Sequence, residues 1–269
     1  MSEKTKPKDN LYWHSAFATS IQYELAAYID QLDIETEHQL SKEALRIDML
    51  VIKKDKNLKI EKNIGRLFKE HNLIEYKSPS DYLSPDDYNK VKGYAYLYAA
   101  FESISPQQLT LTFIVPEITP RLREYLIDEN RFAITTVDDG INYVGDNSFS
   151  VQIIEQKKLS PDKNLFVGAL SRAVSAVNYS RAISELHRQG ISIKNNPFVE
   201  VVARANHAIL KEVLQMETDQ ALKEVLLSLR GQLGLIDAKE VAKKMLKIGI
   251  SLTEIALITD LDIDIIKSL

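Results

Sequence analysis

Three side chains could do chemistry together. Asp48 interrupts the apolar run LRIDMLVI (45–52), and Glu75 and Lys77 stand two apart in LIEYK (73–77). A carboxylate inside a run apolar on both faces is costly unless it is paired or binds a cation. Residues two apart on a strand project from the same face, so Glu75 and Lys77 share one side while Ile74 and Tyr76 take the other. If the two segments pair as strands, Asp48 and Glu75 converge on one point with Lys77 beside them. Hard carboxylate oxygens suit Mg²⁺ or Mn²⁺, which supplies charge and acidifies bound water. A neighbouring lysine positions that water or steadies negative charge, as phosphodiester hydrolysis requires. Asp48 and Glu75 are accordingly assigned as metal ligands and Lys77 as the water-positioning group. The residues alone leave an ordinary alternative open: a satisfied strand-end aspartate, and a same-face surface ion pair of little energetic consequence.

The elements that must position this cluster are legible around it. Apolar residues at Phe17, Ile21, Leu25 and Tyr28 follow helical spacing over 16–32, residues 45–54 read as a buried strand and 73–77 as a short one. Ser84-Pro85-Asp86-Asp87 marks a helix start, with a serine cap, proline at the first position and acids in the first turn; the helix runs to about Phe101. Residues 109–118 and 149–155 read as strands, and 132–143 as a hairpin about Asp139-Gly140. Residues 60–71 fit a helix, and within the insertion Lys59, Lys62, Arg66 and Lys69 recur at helical spacing as a basic stripe, which suits phosphate tracking or a plain solvated face. After Ser160-Pro161 the strand signals stop. Helices are expected over 165–186, 197–216 and 219–229, followed by short helices broken at Gly249 and near Asp260-Leu261. The domains are thus a polar, disordered tail over 1–12, an α/β domain over 13–162 and a helical region over 163–269.

The stretches W-H-x-A-F (13–17), L-R-I-D (45–48) and H-N-L-I-E-Y-K-S-P-S-D-Y-L-S (71–84) resemble the PD-(D/E)XK nuclease superfamily, specifically its recombination-promoting nuclease and transposase branch. The resemblance is strongest over 13 to about 100. It implies a restriction-endonuclease-like α/β core of order α-β-β-β-α-β, a mixed sheet flanked by helices, with an all-α C-terminal region. It further implies a divalent metal, DNA as substrate and a link to recombination or mobile elements. On this resemblance Glu24, on the first helix, is the candidate third metal ligand, with Glu37 its rival. Lys90, on the helix after Glu-x-Lys, becomes an additional catalytic candidate. The long insertion over 55–72 departs from the pattern and leaves the strand pairing open. The tail resembles a helix-turn-helix, but its last helix carries Asp262 and Asp264 against Lys267. Base reading needs basic or amide side chains, so a structural or partner-binding cap is expected instead.

Composition sets the bounds. The 269 residues carry 34 Lys and Arg against 38 Asp and Glu, a net charge of −4, which argues mildly against constitutive binding along a DNA backbone. The absence of cysteine excludes thiolate metal sites and cysteine nucleophiles. The five histidines lack zinc-ligand spacing and are expected to be structural, and no glycine-rich phosphate loop is present. No signal-like or membrane-spanning apolar run occurs, so a cytoplasmic protein without a membrane partner is expected. Double-strand cutting would need two active sites, which points to a homodimer.

Overall fold

The computed structural model describes residues 13–38, 46–193, 196–206, 208–209, 212–213, 227 and 237–269. The tail over 1–12 and, Leu227 apart, the helix expected over 219–229 lie outside the described residues. The chain divides into two compact units, the first over 13–171 and the second from Arg172 onward.

The first unit begins with α1 (Trp13–Glu24), whose buried residues Trp13, Ala16, Phe17, Ser20, Ile21 and Glu24 recur at the three- and four-residue spacing of one helical face. It is shorter than the apolar periodicity predicts, because the chain tightens into a 3₁₀ turn over Ala26–Gln31 and enters an unanticipated strand, β1 (Leu32–Thr36). There follow β2 (Met49–Lys53), β3 (His71–Tyr76), α2 (Pro85–Glu102) and β4 (Leu109–Val115). After a short helix α3 (Pro120–Glu124) come β5 (Ile134–Asp138), β6 (Ile141–Val144) and β7 (Ser150–Glu155). The seven strands form one mixed sheet in the order β1-β2-β3-β4-β7-β6-β5. β1, β2 and β3 run antiparallel, and β3, β4 and β7 run parallel. β5 and β6 close the far edge antiparallel.

The fold is therefore α/β, in the element order expected of a restriction-endonuclease-like core. β4 is buried along its whole length, as a central strand covered on both faces must be. The parallel β3–β4 pair needs a crossover, which α2 provides by laying Tyr88, Val91, Ala95, Tyr98 and Ala99 over Leu73, Leu111 and Phe113. Across the sheet, the Phe17 ring of α1 stacks on Tyr76 at 4.6 Å. The β5–β6 hairpin turns through Gly140 at φ 72°, where a Cβ would come within 2.7 Å of the Glu155 carbonyl oxygen.

Residues 60–71 depart from expectation. Ile60, Ile64 and Phe68 are buried as an apolar face would be, yet the segment holds only a 3₁₀ turn over Asn63–Gly65. Side chains capture its backbone instead. The buried Lys53 ammonium donates to the carbonyls of Leu58 (2.9 Å) and Phe68 (2.7 Å), while Asn72 Oδ1 and Thr110 Oγ1 accept from the Lys69 amide. The basic stripe is consequently not formed. Lys62 pairs with Glu24, and Arg66 Nε turns back to the Glu61 carbonyl at 3.1 Å.

The first unit also runs past the boundary predicted near 160–164. Its last helix, α4 (Leu165–Ala169), packs on α1, with Tyr23 and Phe166 rings 5.1 Å apart. The single helix expected over 165–186 is thus divided between α4 in the first unit and α5 (Ala176–Arg188) in the second. There α6 spans Pro197–Ala205, and the Tyr179 hydroxyl of α5 donates to the Val199 carbonyl at 3.0 Å. Further on, α7 (Ala238–Lys247), α8 (Leu252–Thr259) and α9 (Ile263–Lys267) close around Val241, Met245, Ile255 and Ile266. Gly249 (φ 82°) and Asp260 (φ 55°) end the first two of these in the left-handed conformation, at the predicted breaks. Among the described residues, no helix is long and apolar enough to cross a membrane.

Candidate active site

β2 and β3 pair with Met49 opposite Ile74. One step outward in the same antiparallel register sets Asp48 against Glu75. Asp48 is not within the strand, as the apolar run predicts, but in a bend at its entrance. There its carboxylate takes over the ladder: Oδ2 accepts from the Tyr76 amide at 2.8 Å, while its carbonyl accepts from the Glu37 amide at 2.9 Å. Its other oxygen, Oδ1, lies 3.1 Å from Nδ1 of His14, in the first turn of α1. The His14 imidazole also meets the Tyr76 ring edge-on at 5.9 Å.

Glu75 and Lys77 leave the same face of the β3 end, toward α2. Lys77 Nζ sits 3.3 Å from Glu75 Oε1 and 3.5 Å from Asp87 Oδ1, and it is only 12% exposed. Asp87 is the third residue of α2 and serves twice. Its Oδ2 accepts from the Ser84 amide at 3.2 Å while its own amide donates to Ser84 Oγ at 3.0 Å, a reciprocal cap that starts the helix. Its Oδ1 is left to Lys77.

The cluster carries three carboxylates against one lysine and one half-exposed histidine. The deficit of positive charge falls on Glu75, whose carboxyl is pushed up to about 7, first by burial and then by the Asp48 charge, with Lys77 only partly offsetting. Burial works to lower Lys77, but Glu75 and Asp87 outweigh it and hold the ammonium above its ordinary value. The hydrogen bond to Asp48 raises His14 against the opposing effect of burial. Asp87 is held low despite its burial by the Ser84 bonds and Lys77.

Which residues could hold a metal follows from this deficit. Among the described residues no three histidine or acidic side chains form a ready-made metal cage. Mg²⁺ commonly uses one or two carboxylates, completing its shell with water and substrate phosphate. A partly buried pair of hard oxygen donors with surplus negative charge, Asp48 and Glu75, fits that mode.

The other candidates lie elsewhere. Glu24 stands ten residues beyond His14 on α1, about 15 Å along the axis at 1.5 Å per residue. Its Oε1 accepts from the amides of Phe166 (2.8 Å) and Val167 (3.5 Å) at the start of α4, and its Oε2 pairs with Lys62. The structure does not bring it to Asp48 and Glu75. Lys90 is exposed, with Nζ 5.6 Å from the Tyr94 ring centroid rather than against the cluster. Glu37, the rival of Glu24, takes a left-handed backbone (φ 51°) and contributes negative charge near His14. His71 is structural, its Nδ1 bonded to the Tyr98 hydroxyl at 2.7 Å.

Two residues at the cluster were not singled out from the sequence. Asp87 reads there as a helix-start acid and nothing more. His14, like the other histidines, lacks zinc spacing, although it stands in the W-H-x-A-F stretch that carries the resemblance. No family model, curated protein or solved structure matches the chain. The class that fold and site define is an α/β domain with an electron-rich carboxylate–lysine cluster at the end of a mixed sheet.

Proposed function

We propose that this cluster is the active site of a divalent-metal-dependent nuclease that hydrolyses DNA phosphodiester bonds. The observation that carries the reading is the carboxylate pair Asp48 and Glu75 at the end of the β2–β3 pair, partly buried and short of positive charge, with Lys77 against Glu75. A bound Mg²⁺ or Mn²⁺ supplies charge at the scissile phosphate and acidifies water. Asp48 is pre-set by the Tyr76 amide and His14, so its carboxylate needs little reorganisation to act as a ligand. Glu75 is the second ligand. Lys77, held between Glu75 and Asp87, directs its ammonium N–H groups at the attacking water or a phosphate oxygen. The element order supports the same reading, as does the resemblance, from which the link to recombination or mobile elements is carried over; a homodimer would supply the two active sites that double-strand cutting needs.

A second reading, a nuclease-like fold that binds nucleic acid or a protein without cutting, draws on the net charge of −4 and on Asp48 already having partners on both oxygens. Cleavage of supercoiled plasmid with Mg²⁺ or Mn²⁺ separates the two. Metal-dependent nicking lost in both Asp48→Ala and Lys77→Ala supports the nuclease. No cleavage with either metal favours the silent module, and cleavage that survives both substitutions removes this site from the reaction.

A further inference from the structure

Between the lysine of the cluster and the helix cap that touches it runs a short loop, Ser78-Pro79-Ser80-Asp81-Tyr82-Leu83. Both of its ends are fixed by the site: Lys77 precedes it, and Ser84 with Asp87 follows. The backbone between is fixed as well. The Asp81 amide donates to the Ser78 carbonyl at 2.9 Å, and the Tyr82 amide to Asp81 Oδ1 at 2.8 Å. Leu83 anchors the loop in the core at 1% exposure. Tyr82, between these two anchors, is 61% exposed. A large ring is thus presented to solvent from a backbone that has little freedom left to lose, two residues from the cap that contacts Lys77.

We infer that Tyr82 is a stacking platform for a nucleobase next to the scissile phosphate, an inference that rests on the nuclease reading of the neighbouring cluster. Charge decides what part of the substrate the ring meets. Asp81 precedes it in the chain and Asp86 and Asp87 follow four and five residues on, and the charges of Asp81 and Asp87 act on Lys77. Phosphate would be repelled there, whereas a base presents a neutral π-face. Stacking of this kind tolerates any base, because every base has such a face. It also selects the form of the substrate. The faces of paired bases are covered by their neighbours, so only a single strand, a frayed end or an extruded base can use the ring. The substrate class is therefore DNA that is unpaired beside the cleaved bond.

The test is binding of fluorescent single-stranded and duplex oligonucleotides of one sequence to the full chain, read by anisotropy with Ca²⁺ replacing Mg²⁺. Wild type is compared with Tyr82→Ala, Tyr82→Phe and Tyr82→Trp. Tyr82→Ala should weaken single-strand binding on the order of tenfold or more, with duplex binding unchanged, and Phe and Trp should restore it. Restoration by another aromatic ring is something a merely structural loop residue would not give, and the Trp variant adds fluorescence quenched by a stacked base. Equal loss on both oligonucleotides, no loss on either, or wild type that binds neither would overturn the inference. The catalytic reading fails separately: wild type that binds single strands through Tyr82 yet cuts nothing in Mg²⁺ or Mn²⁺ keeps the platform and removes the nuclease.

Discussion

Asp146 and Glu75 are both acids withdrawn from water beside a lysine, in the same domain and both near α2, yet their surroundings act in opposite directions. Asp146 has a side chain with no exposure. Its Oδ2 receives Lys92 Nζ at 2.6 Å and the Tyr88 hydroxyl at 3.0 Å, and its Oδ1 receives the amides of Ser148 and Phe149. Burial alone would raise its carboxyl, but Lys92 and these bonds hold it below its ordinary value. Glu75 has one lysine at 3.3 Å, shared with Asp87, and a second acid across the strand pair; it is pushed up to about 7. A buried ion pair with every lone pair satisfied ties α2 to the β6–β7 connection and has nothing left over. A cluster with surplus acid holds back charge that only an incoming cation or proton can balance. Strongly shifted groups cluster at functional sites, and here the direction of the shift tells the two clusters apart.

The comparison is most sharply tested by exchanging damage between its halves. Asp48→Ala or Lys77→Ala should lower the cleavage rate of the folded protein by at least ~100-fold, in the range for losing one group that stabilises transition-state charge. Asp146→Ala should act on stability instead. It leaves the partly buried Lys92 ammonium and the amides of Ser148 and Phe149 without their acceptor, a loss on the order of 3 kcal/mol of stability, while the folded fraction cleaves at the normal rate. A stable but inactive Asp146→Ala protein would erase the distinction.

A smaller effect lies in the pH dependence of Glu75. Between the ordinary carboxylate value and about 7, the metal-free folded protein keeps a proton on Glu75 that the unfolded chain has released. The folded state then binds more protons, so stability falls as pH rises through that window. Glu75→Gln should remove this slope and raise stability above pH 7 by on the order of 2 kcal/mol, read from urea unfolding in EDTA. The same substitution should abolish cleavage. Equal pH slopes for wild type and Glu75→Gln would mean that Glu75 is no more strained than Asp146.

How far the sequence foretold all this depends on whether a residue's partners are local. The start of α2 was legible because Ser84, Pro85 and Asp87 form a cap within four residues. The Asp139-Gly140 hairpin and the breaks at Gly249 and Asp260 are likewise short-range. The common face of Glu75 and Lys77 follows from strand alternation alone. The apolar spacing of residues 60–71 suits a helix, whereas bonds that decide their backbone come from Lys53 and Thr110 at a distance in the chain, joined by the adjacent Asn72. The pairing of Asp48 with Glu75 needed a register that the insertion over 55–72 concealed, and Asp48 standing in a bend rather than a strand follows from its bond to the Tyr76 amide. His14 joins the cluster from α1, a contact that no spacing in the sequence announces.

Glu24 is where the sequence reading and the structure part most clearly, and it yields the smallest effect. As a third metal ligand it would set the Mg²⁺ concentration needed for cleavage. In the structure it is instead a long-range cap, its oxygens given to the amides of Phe166 and Val167 and to Lys62. Glu24→Gln keeps an acceptor for the Phe166 amide and removes the charge facing Lys62. The expected result is a stability loss of ~1 kcal/mol, the scale of weakening one hydrogen-bonded charge contact, with the half-saturating Mg²⁺ concentration unchanged. Thermal unfolding and a Mg²⁺ titration of plasmid nicking read the two quantities on one preparation. A Mg²⁺ requirement raised severalfold at unaltered stability would return Glu24 to the metal and require α1 to shift by several ångströms from the position its capping bonds now give it.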